Sequence, residues 1–185
     1  MTEAARPAIL RTERLLLRPY IASDADDVFA YAQLEEWSRY HLPHVPHPYT
    51  RSDADEFLAS VLATPWGEEA NWAIVIDERV VGGLGLTINA SRREAELGYS
   101  LAPAHWNRGL ATEAARAVLD YAFYVLPLEA VEARADARNV GSVRVMEKLG
   151  MRRTALEEGR RIDRTGAAVD EVHYAIRRTA WLAQS

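Results

Sequence analysis

Arg108 and Gly109 stand at the mouth of an apolar helix, and that placement is the chain's clearest chemical handle. Leu110, Ala114, Val118, Tyr121 and Val125 recur at helical spacing, Ala111, Ala115, Leu119 and Ala122 widen the apolar face, and Pro127 stops it. The first turn of such a helix carries N–H groups with no intrahelical acceptor and the positive pole of the helix dipole. A glycine there puts no Cβ between those N–H groups and a ligand, and the neighbouring arginine adds charge, so the segment suits a phosphate. A nucleotide P-loop does not fit, because no Lys-Ser or Lys-Thr follows the glycine, and a dinucleotide fingerprint needs more glycines than this turn has. Alone, the segment leaves two readings open: an anion cradle, or a strand–turn–helix in which glycine only punctuates the chain.

His41, His44 and His47 are the other group whose type and spacing invite chemistry. They lie in a proline-rich stretch from His41 to Tyr49. Polyproline II rises ~3.1 Å per residue with three residues per turn, which puts successive histidines ~9 Å apart along one edge. One zinc ion needs every ligand within ~2 Å, so the spacing predicts a loop wall and no metal. The chain has no cysteine, which removes disulfides, thiolate metal sites and a cysteine nucleophile.

These residues need elements to position them. Thr12–Tyr20 reads as a first strand closed by Pro19. Ser23-Asp24-Ala25-Asp26 and Ser52-Asp53-Ala54-Asp55 each put a serine where an N-cap belongs, ahead of acidic residues and an apolar helical pattern. Residues 70–77 and 79–89 form a hairpin, and Gly82-Gly83-Leu84-Gly85 inside it predicts a bulge or a close approach of backbone. Glu94 to Ala102 alternates as a strand until Pro103, and a helix runs from Gly109 to Leu126. The alternating segment from Ala130 to Ala135 then completes a strand–helix–strand crossover with a parallel pair. A helix over Val140–Leu149 ends at Gly150, and Thr154–Ile162 with Val169–Arg177 makes a last hairpin.

The sum is an α/β chain (α+β, mixed sheet) in the order β-α-α-β-β-β-α-β-α-β-β. With 185 residues and 49% apolar composition it suits one domain over 1–185, with residues 1–11 as a flexible N-terminal segment. A net charge of −5 argues against nucleic acid as a partner. No apolar run is long enough for a bilayer and no signal-peptide core is present, so a cytoplasmic protein without a membrane partner is expected.

Two blocks carry a family resemblance. Trp106-Asn107-Arg108-Gly109-Leu110-Ala111 resembles the pyrophosphate loop Gln/Arg-x-x-Gly-x-Gly/Ala of the GNAT acyl-coenzyme A-dependent N-acetyltransferases, with Trp106 in the first position. Trp-x-x-Gly-x-Ala-Thr-Glu-Ala, continued here through Thr112, Glu113 and Ala114, is similar to the Rim-type (RimJ/RimL-like) branch that modifies ribosomal-protein N-termini. Asn139 to Met151 resembles the family's Asn-x-x-Ser/Ala-x-x-x-x-Glu-Lys-x-Gly-Phe segment, with Met151 in place of phenylalanine.

The resemblance implies a GNAT-like domain whose central parallel strands, Glu94–Ala102 and 130–137, splay to admit the pantetheine arm of acetyl-coenzyme A. It implies backbone contacts to that arm from Tyr99 and Leu101, an oxyanion-binding N–H at Leu101 or Ala102, and a diphosphate held by Arg108, Gly109, Leu110, Ala111 and Thr112. Asn139 would hydrogen-bond the arm, and Glu96 would be the base, directly or through water. The family's tyrosine acid falls on Met146, which cannot donate, so Ser142 is the available hydroxyl. The connection between the first two helices helps build the acceptor pocket in the family, which makes Trp37, Tyr40, His41, His44 and Tyr49 substrate-contact candidates. Histidines and acidic residues near that loop favour a cationic acceptor. The implied activity is acetyl transfer to a primary amine, on a small molecule or a protein N-terminus, by direct attack in a ternary complex. A monomer or homodimer would serve, and the alternative is a catalytically idle acyl-coenzyme A-binding module.

Overall fold

The computed structural model describes residues 7–41 and 43–184. Eight strands, β1 (Leu10–Arg11), β2 (Leu16–Pro19), β3 (Glu69–Ile76), β4 (Arg79–Asn89), β5 (Glu94–Leu101), β6 (Ala130–Asp136), β7 (Arg152–Ile162) and β8 (Ala168–Arg177), form one mixed sheet. Their spatial order is β1-β2-β3-β4-β5-β6-β8-β7, and every neighbouring pair is antiparallel except β5 with β6. The parallel pair is joined by helix α4 (Leu110–Asp120), as a crossover requires. The other helices are α1 (Ala25–Ala32), α2 (Glu35–Ser38), α3 (Arg51–Ala63), α5 (Val140–Lys148) and α6 (Arg178–Leu182).

Strand alternation sends neighbouring residues to opposite faces, and two buried clusters result. Leu17, Trp72, Ile74, Leu86, Leu97 and Val131 face α4, α5 and α6 with Val118, Leu119, Met146, Leu149 and Trp181. Ala73 and Val75, flanking Ile74, face the opposite way and join Tyr20, Val28, Tyr31 and Leu58 under α1 and α3. Trp72 is fully buried between the rings of Trp66 and Tyr121, so its truncation to alanine would cost about 3–5 kcal/mol. The second cluster covers only the β2–β4 side. Over β5 and β6 that face stays open, with Glu96, Ser100, Glu132 and Arg134 half-buried or exposed.

Several boundaries differ from expectation for local reasons. Neither serine is an N-cap. The Asp24 carboxylate accepts from Arg18 at 2.8 and 2.7 Å and from the Ile21 N–H at 2.9 Å, which pulls it inward and makes the first turn 3-10 before α1. Thr50 caps α3 reciprocally with Asp53, so Ser52 already lies inside the helix. Leu10 and Arg11 pair with Leu17 and Leu16, whereas residues 1–6 of the expected flexible segment lie outside the described residues. The long helix after Gly109 is α-helical to Asp120 and then widens into a π turn over Tyr121–Val125. The short helices α2 and α6 have too few residues for a periodic signal. Both features expected of the glycine-rich strand are present: the register against β3 shifts between Ile74 and Val75, beside Gly82, and a Cβ at Gly82 would collide with the Ser100 carbonyl oxygen of the neighbouring strand.

Candidate active site

Pro103 ends β5, a 3-10 turn follows over Pro103–His105, and the chain swings through left-handed conformations at Asn107 (φ 58°) and Gly109 (φ 77°) into α4. Gly109 is required by that dihedral more than by crowding, since the nearest atom to an added Cβ would be 3.6 Å away. Trp106 Nε1 donates to the Leu101 carbonyl at 2.8 Å and ties the loop back to the strand end. No side chain caps α4, and its first backbone bond runs from the Glu113 N–H to the Gly109 carbonyl at 3.0 Å. Among the described residues, no acceptor takes the N–H groups of Arg108, Gly109, Leu110, Ala111 or Thr112. These are the unpaired donors and dipole end that an anion neutralises. A pocket of about 350 Å³ on this side is lined by Gly109, Thr112, Arg116 and Lys148 together with Glu13 and Glu113, so two further cations sit beside the loop.

Glu113 holds this loop in place. Its carboxylate accepts from the Thr12 hydroxyl at 2.6 Å, the Arg14 N–H at 2.9 Å and Arg14 Nε at 2.6 Å, while Arg14 Nη1 also donates to the Arg108 carbonyl at 3.0 Å. Burial by itself would raise the Glu113 pKa, but the Thr12 and Arg14 hydrogen bonds outweigh it and hold the group below its ordinary value. Burial and the Arg108 charge keep His105 low, so its Nδ1 is an acceptor for Arg108 Nη1 at 3.3 Å.

Beside this loop the sheet opens. Ladder pairing between β5 and β6 runs only through Glu94↔Ala130, Ala95↔Val131 and Glu96↔Glu132, after which the strands part. β5 stays paired to β4 as far as Leu101, and β6 to β8 as far as Asp136, so Leu97–Leu101 and Ala133–Asp136 border a gap. Asn139 caps α5 at its mouth, its Oδ1 accepting from the Ser142 N–H at 3.1 Å. Tyr99, on the β5 side, bonds Ser142, on the β6 side, through its hydroxyl: 2.9 Å to Oγ and 3.1 Å to the carbonyl. Burial pushes the Tyr99 phenol up to about 12, so it stays protonated near neutrality. Met146 is fully buried in the core.

Glu96 is the last β5 residue paired to β6, directly before the gap wall, on the open face of the sheet. Both its oxygens face the Arg134 guanidinium, with Nε at 3.0 Å from Oε1 and Nη2 close to Oε2. The two side chains are 42% and 46% exposed, so this is a solvated pair.

The loop residues divide. Trp37 stacks on His41 with ring centroids 3.9 Å apart and meets Tyr49 edge-on at 5.9 Å, and Tyr49 belongs to the core under α1 and α3. Burial drives His41 down to about 4, so its Nδ1 carries the hydrogen donated to the Trp37 carbonyl at 2.8 Å. Among the described residues, no three histidine, aspartate or glutamate side chains gather as a metal site would need. Of the five expected contact residues only Tyr40 lines the cavity on this side. That cavity, about 350 Å³, is bounded by Glu35, Ser38, Arg39, Tyr40 and His47 from α2 and the loop after it. Its other wall is Arg138, Asp163, Arg164 and Thr165. Three arginines against two acids make a wall more basic than the expected cationic acceptor would need. Arg138 joins Asp136 at 2.7 Å to Asp163 at 3.0 Å, and the Thr165 hydroxyl, then Arg138, hold Asp163 down to about 2. Arg161 Nη2 donates to the Tyr40 carbonyl at 2.8 Å and fastens the β7–β8 hairpin to the loop. Sequence reading missed this wall. Asp163-Arg164-Thr165-Gly166 reads only as a turn, and no periodicity announces that it faces a loop 120 residues away.

The family model for the acetyltransferase (GNAT) domain matches residues 14–152. An uncharacterized N-acetyltransferase, p20 of Bacillus licheniformis, is 31% identical over 152 residues, covering 80% of this chain and 84% of the relative. Among solved structures, an acetyltransferase (GNAT family) from Bacillus anthracis superposes with a TM-score of 0.82 at 27% identity, covering 93% of this chain and 99% of that one. The fold also matches the microcin C7 self-immunity acetyltransferase MccE, solved with acetyl-CoA and AMP: TM-score 0.80, 13% identity, 90% of this chain and 93% of that chain.

Proposed function

Because the chain belongs to the GNAT acetyltransferase family, we propose that it moves an acetyl group from acetyl-coenzyme A to a primary amine by direct attack in a ternary complex. The observation that carries this reading is the parting of β5 and β6 beyond Glu96↔Glu132, directly beside five N–H groups without acceptors among the described residues. Backbone along the gap needs partners, and the amides of a pantetheine arm supply them as an added strand would. In this reading the diphosphate rests on Arg108, Gly109, Leu110, Ala111 and Thr112. Arg116 and Lys148, which line the adjacent pocket, balance further phosphate charge. Tyr99, Leu101 and Asn139 meet the arm. That MccE was solved with acetyl-CoA agrees with the assignment of donor.

The acetyl carbonyl would then sit near the end of β5, where the oxyanion donor falls to the Leu101 N–H, because the Ala102 N–H already donates to the Val81 carbonyl at 2.8 Å. The neutral amine attacks, the tetrahedral intermediate collapses, and the thiolate leaves. Ser142 supplies the leaving group with a proton, and the Tyr99 phenol, hydrogen-bonded to it, extends the donor pair past the position that Met146 fills. Glu96 takes the amine proton through water. An α-amino group, with pKa of about 8, needs less help than a lysine near 10.4, so the Rim-type resemblance and the chemistry favour acceptors of the first kind.

The test is thiol release by the purified chain with acetyl-coenzyme A and a panel of amines. Amine-dependent release, with one acetylated amine per thiol, is expected. Donor binding with no release from any amine would leave only a donor-binding module.

A further inference from the structure

Arg164, in the turn between β7 and β8, is the most exceptional charge in the molecule. Its Nε, Nη1 and Nη2 are all shielded from solvent, and none has a hydrogen-bond acceptor among the described residues. A buried guanidinium without an acceptor needs a reason, because desolvation is then uncompensated. Its surroundings explain why nothing in the chain serves it. Asp163, its neighbour, is committed to Arg138, to the Thr165 hydroxyl and to the N–H groups of Thr165 and Ala167. Glu171 is committed to Arg161 at 3.0 Å. Arg138 and Arg161 have carboxylate partners and Arg39, which lines the same cavity, keeps its charge in solvent, so among the described residues Arg164 alone is a shielded guanidinium without an acceptor.

Arg164 also lines the cavity enclosed by α2 and its following loop, and Arg138 on the same wall directly precedes Asn139 at the mouth of the β5–β6 gap. The cavity wall and the mouth of the gap therefore meet at Arg138 and Asn139. We infer that the amine acceptor carries a carboxylate, which the Arg164 guanidinium binds as a two-pronged partner inside this cavity. The inference rests on the acetyltransferase reading and names its acceptor class. A planar monoanion matches a single unpaired planar fork. A phosphate dianion matches less well, because Glu35 and Asp163 share the wall, Arg138 is already neutralised and Arg39 is exposed to solvent. The cavity volume, about 350 Å³, lies at the small end of small-molecule pockets.

The experiment compares α-amino acids with their own α-carboxamides as acceptors, by thiol release, in the wild type and in Arg164→Met and Arg164→Lys. The amine of a carboxamide loses its proton more readily, so intrinsic reactivity works against the expected result. The wild type should prefer carboxylates at least tenfold in kcat/KM. Arg164→Met should bring that ratio towards one through KM, and Arg164→Lys should restore part of it. Since the guanidinium has no protein partner to lose, Arg164→Met should melt no lower than the wild type. A wild-type ratio of one or less, no turnover of any carboxylate-bearing amine, a ratio unmoved by Arg164→Met, or a clear fall in its melting temperature would each overturn the inference. Failure of acetyl-coenzyme A to raise the melting temperature of the wild type would strike the acetyltransferase reading instead.

Discussion

Glu96 shows how much a single residue's surroundings decide. Its position on β5 just before the strands part is what a base needs, yet both its oxygens face Arg134, which is also how a purely structural strand carboxylate would be held. A pair this exposed contributes little to stability, about 0–1 kcal/mol, so the substitution Glu96→Gln leaves the fold intact and isolates the chemistry. We expect kcat to fall roughly 100-fold, in the range that general-base assistance provides, with the loss greatest on the acid side of the pH profile. Unchanged kcat at every pH would reduce Glu96 to Arg134's partner. The sequence offered Glu96 by its place in a strand but not its arginine, because Arg134 lies 38 positions on and the pairing exists only once β5 and β6 are parallel neighbours. The two hydroxyls are a similar case. Ser142 could be proposed from its motif, but Tyr99 joins it only by reaching across the gap.

At the scale of elements, α4 was legible almost entirely, because apolar residues at helical spacing, a preceding Pro103 and a following Pro127 each leave a local trace. What holds its first turn was not. Glu113 reads as one letter of a motif, whereas in the structure it clasps Thr12 and Arg14, about a hundred residues earlier, against the loop that would carry the diphosphate. The direction of its pKa fixes the sign of a pH effect. A carboxylate held below its ordinary value of 4.5 stabilises the fold above that pH and loses the contribution as pH falls through the lower folded value. Glu113→Gln should therefore cost about 1–2 kcal/mol at pH 7, a drop in melting temperature of roughly 2–8 °C for a chain of this size. Melting curves of the two proteins should converge in strong acid. Equal melting at pH 7, or a gap that widens on acidification, would contradict this. The acceptor side was the least legible, since its wall pairs α2, four residues long, with a turn after β7, and neither has a periodic pattern to read.

Across the whole molecule the account is a division of labour between two sides of one sheet. One face is filled by α4, α5 and α6. On the other, α1 and α3 cover β2–β4 and leave β5, β6 and the β7–β8 hairpin to border an open site. The order of elements, the mixed sheet and the parallel pair could all be read from strand alternation, helix spacing and turn residues. The parting of the pair could not, because it is a loss of pairing that no residue type encodes, and only the family resemblance implied it. The most direct measurement is a crystal structure of the chain with acetyl-coenzyme A. We expect the pantetheine arm between Leu97–Leu101 and Ala133–Asp136, with diphosphate oxygens within about 3.2 Å of the N–H groups of Arg108–Thr112. An arm bound outside that gap, or a diphosphate that leaves those N–H groups without a partner, would contradict the account.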